Sequence, residues 1–411
     1  MTYSLVDACR SCGRAALLPV LDLGRQPLAN AYRTPRDTAP EPRYPLRLTR
    51  CRHCTLVQLA GTVAPETLFD TYPYYSSYST TMVEAMAELA ARVTDEQRLG
   101  PGSLVIDIGA NDGYLLTHYL RLGIPVLGVE PARNLAAAAA EAGVPTMTAY
   151  FGSVTARRIL ATYGPVSVVH ANNVMAHAPD INDFTSGLSA LLAGHGVAYV
   201  ESPYLGRLID GTEFDTVYHE HVFYYSLTAF DALLRRHGLT VTAIEQLKVH
   251  GGSLRYTIRP SAYAPLPEVA GLLAEENAGG MGTTAYYTAF AERAQRLRRV
   301  IPDRLRALKA DGARIAAYGA AAKGTVLLNY LGVGTDLVDA VIDLNPHKQN
   351  RLMPGVHIPI TDTSYLAERR PSHLLLLAWN LADEILNQQM PYRAAGGRFI
   401  VPLPEWRVVE P

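Results

Sequence analysis

Short apolar runs recur along this chain, and each ends in a glycine, an acid or an amide. Ser103-Leu-Val-Ile-Asp-Ile-Gly-Ala-Asn-Asp-Gly113 reads as a buried strand that opens into a glycine-bearing turn and a helix. Val126–Pro131, Val166–His177 and Gly196–Pro203 repeat the strand part, and residues 239–248 and 253–258 read as closing strands joined at His250-Gly-Gly252. An amphipathic helix is predicted over 81–98, ahead of the first strand. Residues 260–312 read as largely helical with a break at Gly279-Gly-Met-Gly282. A second unit then starts: Arg314–Thr325 is a strand, a small-residue turn and a helix start, and Val338–Asp343 is a strand ending in an acid 24 positions after Gly319. Residues 374–378 read as a further buried strand. Strands alternating with helices predict an α/β protein with parallel sheets. We expect three parts, over residues 1–68, 69–260 and 261–411.

Composition narrows the function class. The chain has 411 residues, room for two or three domains, and its 48% hydrophobic and 18% charged content is that of an ordinary globular protein. A net charge of −1 carries neither a nucleic-acid footprint nor an acidic tail. No apolar run approaches a membrane span, and the first residues lack a basic segment followed by an apolar one. The expectation is a cytoplasmic protein whose four cysteines are reduced or metal-bound.

All four cysteines fall in the first 54 residues, as Cys9-Arg-Ser-Cys12 and Cys51-Arg-His-Cys54 with 38 residues between the pairs. Two such knuckles present four thiolates tetrahedrally, the arrangement of a closed structural zinc site with no open position for catalysis. His53 is an alternative ligand. Next comes a stretch in which four tyrosines and four hydroxyl residues occupy the nine positions Tyr72–Thr80. Pro73 argues against a continuous helix there. The stretch is either an aromatic linker or a lid whose phenols, Tyr72 and Tyr78 among them, touch a ligand.

Asp107-Ile-Gly109-Ala-Asn111-Asp-Gly113 carries an acid where the dinucleotide fingerprint wants its first glycine. The motif resembles instead the first motif of class I S-adenosylmethionine methyltransferases, in which an acid serves the cationic amino-acid end of the ligand. Gly109 allows the tight turn, and Gly113 the close approach of ligand and helix. Glu130 ends the next strand, 23 positions after Asp107, where a carboxylate accepts both ribose hydroxyls. Phe151 is placed to stack on adenine. Asn172, Asn173 and His177 lie at the carboxyl end of the fourth strand, which faces the ligand crevice of an open α/β sheet. In the second unit Lys323 sits beside a helix amino terminus suited to pyrophosphate. Asn345-Pro-His347-Lys348 and Asn380 follow at further strand ends.

Between the two units lies Glu213-Phe-Asp-Thr-Val-Tyr218-His-Glu220-His221, which puts two imidazoles, a carboxylate and a phenol in one short segment. Such a cluster suits proton abstraction near neutrality. A second reading has His219 and His221 chelating a metal with Glu201 or Asp215, but no complete ligand spacing supports it.

Taken in order, the paired cysteines, Asp107–Gly113, Phe214–His221 and Asp343–Lys348 resemble the nucleotide-sugar C-methyltransferase family of deoxysugar and antibiotic pathways, over essentially the whole chain. The resemblance implies a small zinc-binding domain, a central Rossmann-like methyltransferase domain and a C-terminal Rossmann-like domain. It implies S-adenosyl-L-methionine as cofactor, with Asp107, Gly109, Asn111, Gly113, Glu130, Phe151 and Asn172 around it. It implies a dTDP-linked 4-keto-deoxysugar as substrate, methylated at C-3. His221 would be the base, with Tyr218, Glu220, His177 and Tyr72 lining the sugar. Tyr78, Lys323, Asn345, His347, Lys348 and Asn380 would hold the nucleotide, and no nucleic acid or membrane is expected as partner. Competing readings are C-5 methylation, O- or N-methylation, a nicotinamide-dependent oxidoreductase using the C-terminal unit, and a non-enzymatic zinc-ribbon interaction protein.

Overall fold

The computed structural model describes residues 3–70, 72, 75–247 and 252–411. Pro73 and most of the 248–252 turn lie outside the described residues. The N-terminal part folds as long antiparallel strands, Leu17–Pro27 and Arg43–Cys51, followed by Val57–Leu59. The fourth strand of that sheet, Phe223–Tyr224, comes from far along the chain and pairs Phe223 with Gln58 and Tyr224 with Val57.

The central sheet has seven strands. Val105–Ile108 is the middle one of its five parallel strands, with Val126–Val129 and Thr146–Met147 on one side and Val168–Asn172 and Val197–Pro203 on the other. Ser253–Pro260 and Leu239–Leu247 complete it as antiparallel strands. Chain direction along the sheet reverses between Val105–Ile108 and Val168–Asn172, so the ligand crevice opens at the carboxyl ends of those two. The helix Thr80–Glu96 starts where the Ser79 side chain accepts from the Met82 N–H and buries Met86, Leu89, Ala90 and Val93, one face at helical spacing.

The helical connection consists of Pro267–Ala278 and Thr284–Ala310, separated at the predicted glycine break. The C-terminal sheet places Ile315–Tyr318 between Val341–Ile342 and His373–Leu376, giving a second reversal and a second crevice. The strand expected over 338–343 is shorter, because the Val338 N–H turns back to Gly334 and only Val341 and Ile342 pair with Ala317 and Tyr318.

Two cores tie these parts together. One joins Val20, Leu46 and Leu48 of the N-terminal sheet to Phe214, Phe290, Leu327 and Leu375; the other joins Cys9, Cys51 and Leu56 to Ile106, Val169 and Phe223. The N-terminal part is thus wedged between the two α/β units. Among the described residues no helix is long and apolar enough to cross a membrane.

Candidate active site

The acid–glycine turn is built as a cradle for a cation. Asp107 is buried at the end of its strand, and its Oδ1 has no hydrogen-bond partner among the described residues. Burial and the neighbouring Glu130 hold its carboxyl well above the usual range. A buried carboxyl oxygen without a partner is costly, and the ammonium of an amino-acid moiety would satisfy it. Glu130 accepts from the backbone N–H groups of Asn111 and Ala132, both at 2.9 Å, which fixes it at the strand tip. Gly109 has φ +70°, and a Cβ there would meet Val174 at 2.7 Å; only glycine fits. At Gly113 a Cβ would meet Val144 at 2.9 Å, so the missing side chain lets the turn pack closely on its own domain. Asn111 accepts from the Ser76 and Asp112 N–H groups at 3.0 Å, so its side chain anchors the tyrosine segment on the turn. Phe151 is half-buried, edge-on to Phe184 at 5.0 Å.

Asn172 donates weakly to Met86 Sδ at 4.0 Å, and its Oδ1 is buried without a partner among the described residues. The next residue, Asn173, takes φ +56°. Glu201 holds it twice, its carboxylate accepting from Asn173 Nδ2 at 3.0 Å and its carbonyl from the Asn173 N–H at 2.8 Å. Glu201 is itself paired with buried Arg255 at 3.0 Å. The loop after the fourth strand is therefore stiff, and it carries His177 to the site.

The predicted side chains gather there in two groups, Tyr218, His221 and His177 in one and Glu220 and Tyr72 in the other. Tyr218 OH and His221 Nε2 share a hydrogen bond of 2.9 Å. The His177 ring lies 4.9 Å from the His221 ring, nearly perpendicular. Burial pushes His177 down to about 4, so it is neutral near pH 7. Glu220 is buried and accepts from Tyr72 OH at 2.9 Å and from Asn30 Nδ2 at 2.8 Å. Burial raises its carboxyl to about 7 against the opposing pull of those two donors. Tyr72 is placed by Asn134, which exchanges hydrogen bonds with the Tyr72 backbone at 3.1 and 2.8 Å. His219 turns the other way, edge-on to Tyr44 at 5.9 Å. Among the described residues only the cysteines gather as a metal-binding set, so the His219–His221 chelate is not formed.

The start of the same segment reaches the second crevice. Asp215 accepts from Trp379 Nε1 at 2.7 Å, and Lys323 Nζ lies over the Trp379 ring, 4.8 Å from its centre. Burial raises Asp215 to about 6 and Glu213 to about 8, against the opposing charge of Lys323. Asn380 is half-buried in the turn after Trp379. Tyr78 stacks on Tyr75 at 5.3 Å and on His347 at 6.4 Å, so the tyrosine segment touches both α/β units. Asn345 accepts from the His347 N–H at 2.9 Å. Lys348 is turned inward and donates to the Ala320 carbonyl at 2.8 Å, holding the turn after Tyr318.

The four cysteine sulfurs lie within 4.8 Å of one another, with Cys9–Cys54 at 3.5 Å and Cys12–Cys51 at 3.6 Å. Four converging thiols suit Zn2+. His53 bonds to Arg14 at 3.0 Å and stays outside the set.

Residues 9–69 match a zinc binding domain model, 78–244 a methyltransferase domain model, and 248–404 a C-methyltransferase C-terminal domain model. The C-methyltransferase NovU of Streptomyces niveus is 38% identical, over 98% of this chain and 97% of its own. The chain belongs to the C-methyltransferase family. The enzyme is an S-adenosyl-L-methionine-dependent C-methyltransferase with a structural zinc domain. Solved structures resemble part of it. The magnesium protoporphyrin IX methyltransferase of Synechocystis PCC 6803 with bound SAM is 15% identical, with TM-score 0.32, over 43% of this chain and 79% of that one. The PH0226 protein of Pyrococcus horikoshii OT3 is 14% identical, with TM-score 0.37, over 47% and 97%.

Sequence reasoning missed Asn30 and Asn134, and it missed that Asp215 and Trp379 stand with the predicted Lys323. Asn30 and Asn134 sit in segments with no motif of their own. Asp215 was visible only as an alternative metal ligand.

Proposed function

We propose that the methyltransferase transfers its methyl group to C-3 of a dTDP-linked 4-keto-deoxysugar through an enolate. The observation that carries this reading is the placement of residues 213–221: Asp215 lies at the crevice of the C-terminal sheet, and Glu220 and His221 lie beside the loop of the central one. A nucleotide at the C-terminal crevice and a methyl donor at the central one would meet along residues 213–221. A carbon next to a ketone is acidic enough for a held side chain to deprotonate.

His221 takes the C-3 proton, with Tyr218 fixing its ring. Neutral His177 and the Tyr218 hydroxyl supply donors to the enolate oxygen. Glu220, on the same segment, is the second proton-handling group, since its carboxyl changes charge near neutrality. S-adenosyl-L-methionine, when bound, supplies an electrophilic methyl on sulfonium, and Asp107 and Glu130 would hold its amino-acid and ribose ends. Base and donor act on opposite faces of the ring, which predicts inversion at C-3. Lys323 and the amino end of the helix Ala322–Leu331 favour the negative diphosphate.

The test is purified enzyme with methyl-labelled donor and a panel of dTDP-4-keto-deoxysugars, products read by NMR. The reading requires label on C-3, and deuterium exchange at C-3 from solvent without donor. Label on oxygen, nitrogen or C-5, or no transfer to any member, overturns it.

A further inference from the structure

The zinc-binding domain reaches into the active site through one side chain. Asn30 follows the long strand Leu17–Pro27 and lies 190 positions before Glu220 in the chain, yet its Nδ2 donates to Glu220 Oε1 at 2.8 Å. It is firmly placed. The carbonyl of Ala29 accepts from Thr325 Oγ1 at 2.9 Å, and the Tyr32 hydroxyl donates to the Ala320 carbonyl at 2.6 Å, so the C-terminal unit grips the chain on both sides of it. Beyond the far edge of the Glu220 loop, the Leu59 N–H of the same domain donates to the Val222 carbonyl at 2.9 Å.

We propose that Asn30 is a positioning residue of the reaction, which fixes the orientation and charge state of the Glu220 carboxyl from the zinc-binding domain. The inference rests on the role given to Glu220 above.

Its chemistry is that of a neutral donor. An amide N–H favours the ionised carboxylate without adding charge, and so offsets part of the penalty of burial. The other groups facing Glu220 are few. Tyr72 donates to Oε2 from the tyrosine segment. Tyr32 lies beside it on the zinc-domain side, its phenol kept protonated by burial and by the Asp343 and Glu220 carboxyls. Lys348 stands behind Tyr32, over its ring, and is paired with Asp343 at 3.9 Å. His219 and His221 flank Glu220 on its own segment, and the His219 ring is turned toward Tyr44. Among the described residues Asn30 and Tyr72 are the two donors to this carboxyl, and Asn30 is the one no chemical motif announces.

The experiment follows the Glu220 carboxyl itself. Infrared difference titration of the full-length, zinc-loaded enzyme, with Glu220→Gln as the subtraction reference, reads its midpoint in wild type, Asn30→Ala and Asn30→Asp. Removing the donor is expected to raise the midpoint by about one pH unit, a tenfold change in ionisation. Asn30→Asp, which keeps shape but adds negative charge, is expected to raise it further. The acid limb of the kcat/KM profile should move upward by the same amount in each variant. An unmoved midpoint in folded variants with full zinc content overturns the proposal. Should Asn30→Ala not fold, Asn30→Asp decides alone, and Tyr72→Phe calibrates the loss of one donor. If the midpoints move but no 4-keto sugar is methylated, the proposal stands and the substrate reading falls.

Discussion

At the scale of single residues, the candidate site holds two hydrogen-bonded units. Tyr218 and His221 form one, and Glu220 with Tyr72 and Asn30 forms the other. His221→Asn keeps size and hydrogen bonding but cannot act as a base near neutral pH. The expected result is a fall in turnover of about 10²- to 10⁴-fold with donor binding unchanged, measured by labelled-methyl transfer and by calorimetry with S-adenosyl-L-homocysteine. A variant that binds and turns over like wild type would remove His221 from the base role. Further from the chemistry, Glu201 is the acceptor that keeps Asn173 in its left-handed conformation, and Arg255 neutralises it within the fold. Glu201→Ala leaves a buried guanidinium without its main partner, so a loss of about 3–5 kcal/mol in unfolding free energy is expected by urea titration. Arg255 keeps a second carboxylate, Glu245, at 2.9 Å, which places the loss toward the lower end.

At the scale of elements, residues 213–221 are unusual in burying three carboxyls. Glu213, Asp215 and Glu220 are raised to about 8, 6 and 7. Each binds its proton more tightly folded than unfolded, so each contributes stability that is complete below its unfolded value, near pH 4, and lost as pH rises through its folded value. His177 and His219, both pushed down to about 4, act oppositely: their contribution is complete above about 6.5 and lost as pH falls through 4. The melting temperature should therefore decline from about pH 6.5 to pH 8.5, and Glu213→Gln should flatten that decline in scanning calorimetry. An unchanged slope in the variant would mean that Glu213 does not carry it. The elements themselves were legible: the strand into Asp107, the Glu130 strand tip, the helix 80–96 and the paired cysteines follow from local pattern. What the pattern could not show was pairing between segments. Asn30 and Glu220, Tyr72 and Asn134, and Asp215 and Trp379 meet only because three sheets pack at one junction, and no local periodicity encodes a contact across 60 to 190 positions. Gly113 shows the reverse limit, since its glycine was legible but its packing against Val144 was not.

At the scale of the whole molecule, the zinc domain is part of the frame of the active site. Its strand Val57–Leu59 begins three residues after Cys54 and pairs with Phe223–Tyr224, which begins two residues after His221. Cys9 and Cys51 are buried in the same core as Phe223. The cysteine cluster therefore leads directly into a short ladder whose other strand follows residues 213–221. Taking the metal away leaves four close thiols with nothing to hold them together, and a two-residue pairing is too short to persist alone. Chelation of zinc is expected to reduce methyl transfer at least tenfold and to raise amide hydrogen exchange at 57–59 and 222–224 together. Binding of S-adenosyl-L-homocysteine should change much less, because Asp107 and Glu130 are held by the central sheet. Cys54→Ser should reproduce both effects without a chelator. Metal-free enzyme that keeps full activity, or exchange that rises at 57–59 while 222–224 stays protected, would show that the ladder is held by the hydrophobic core and that zinc serves the N-terminal fold only.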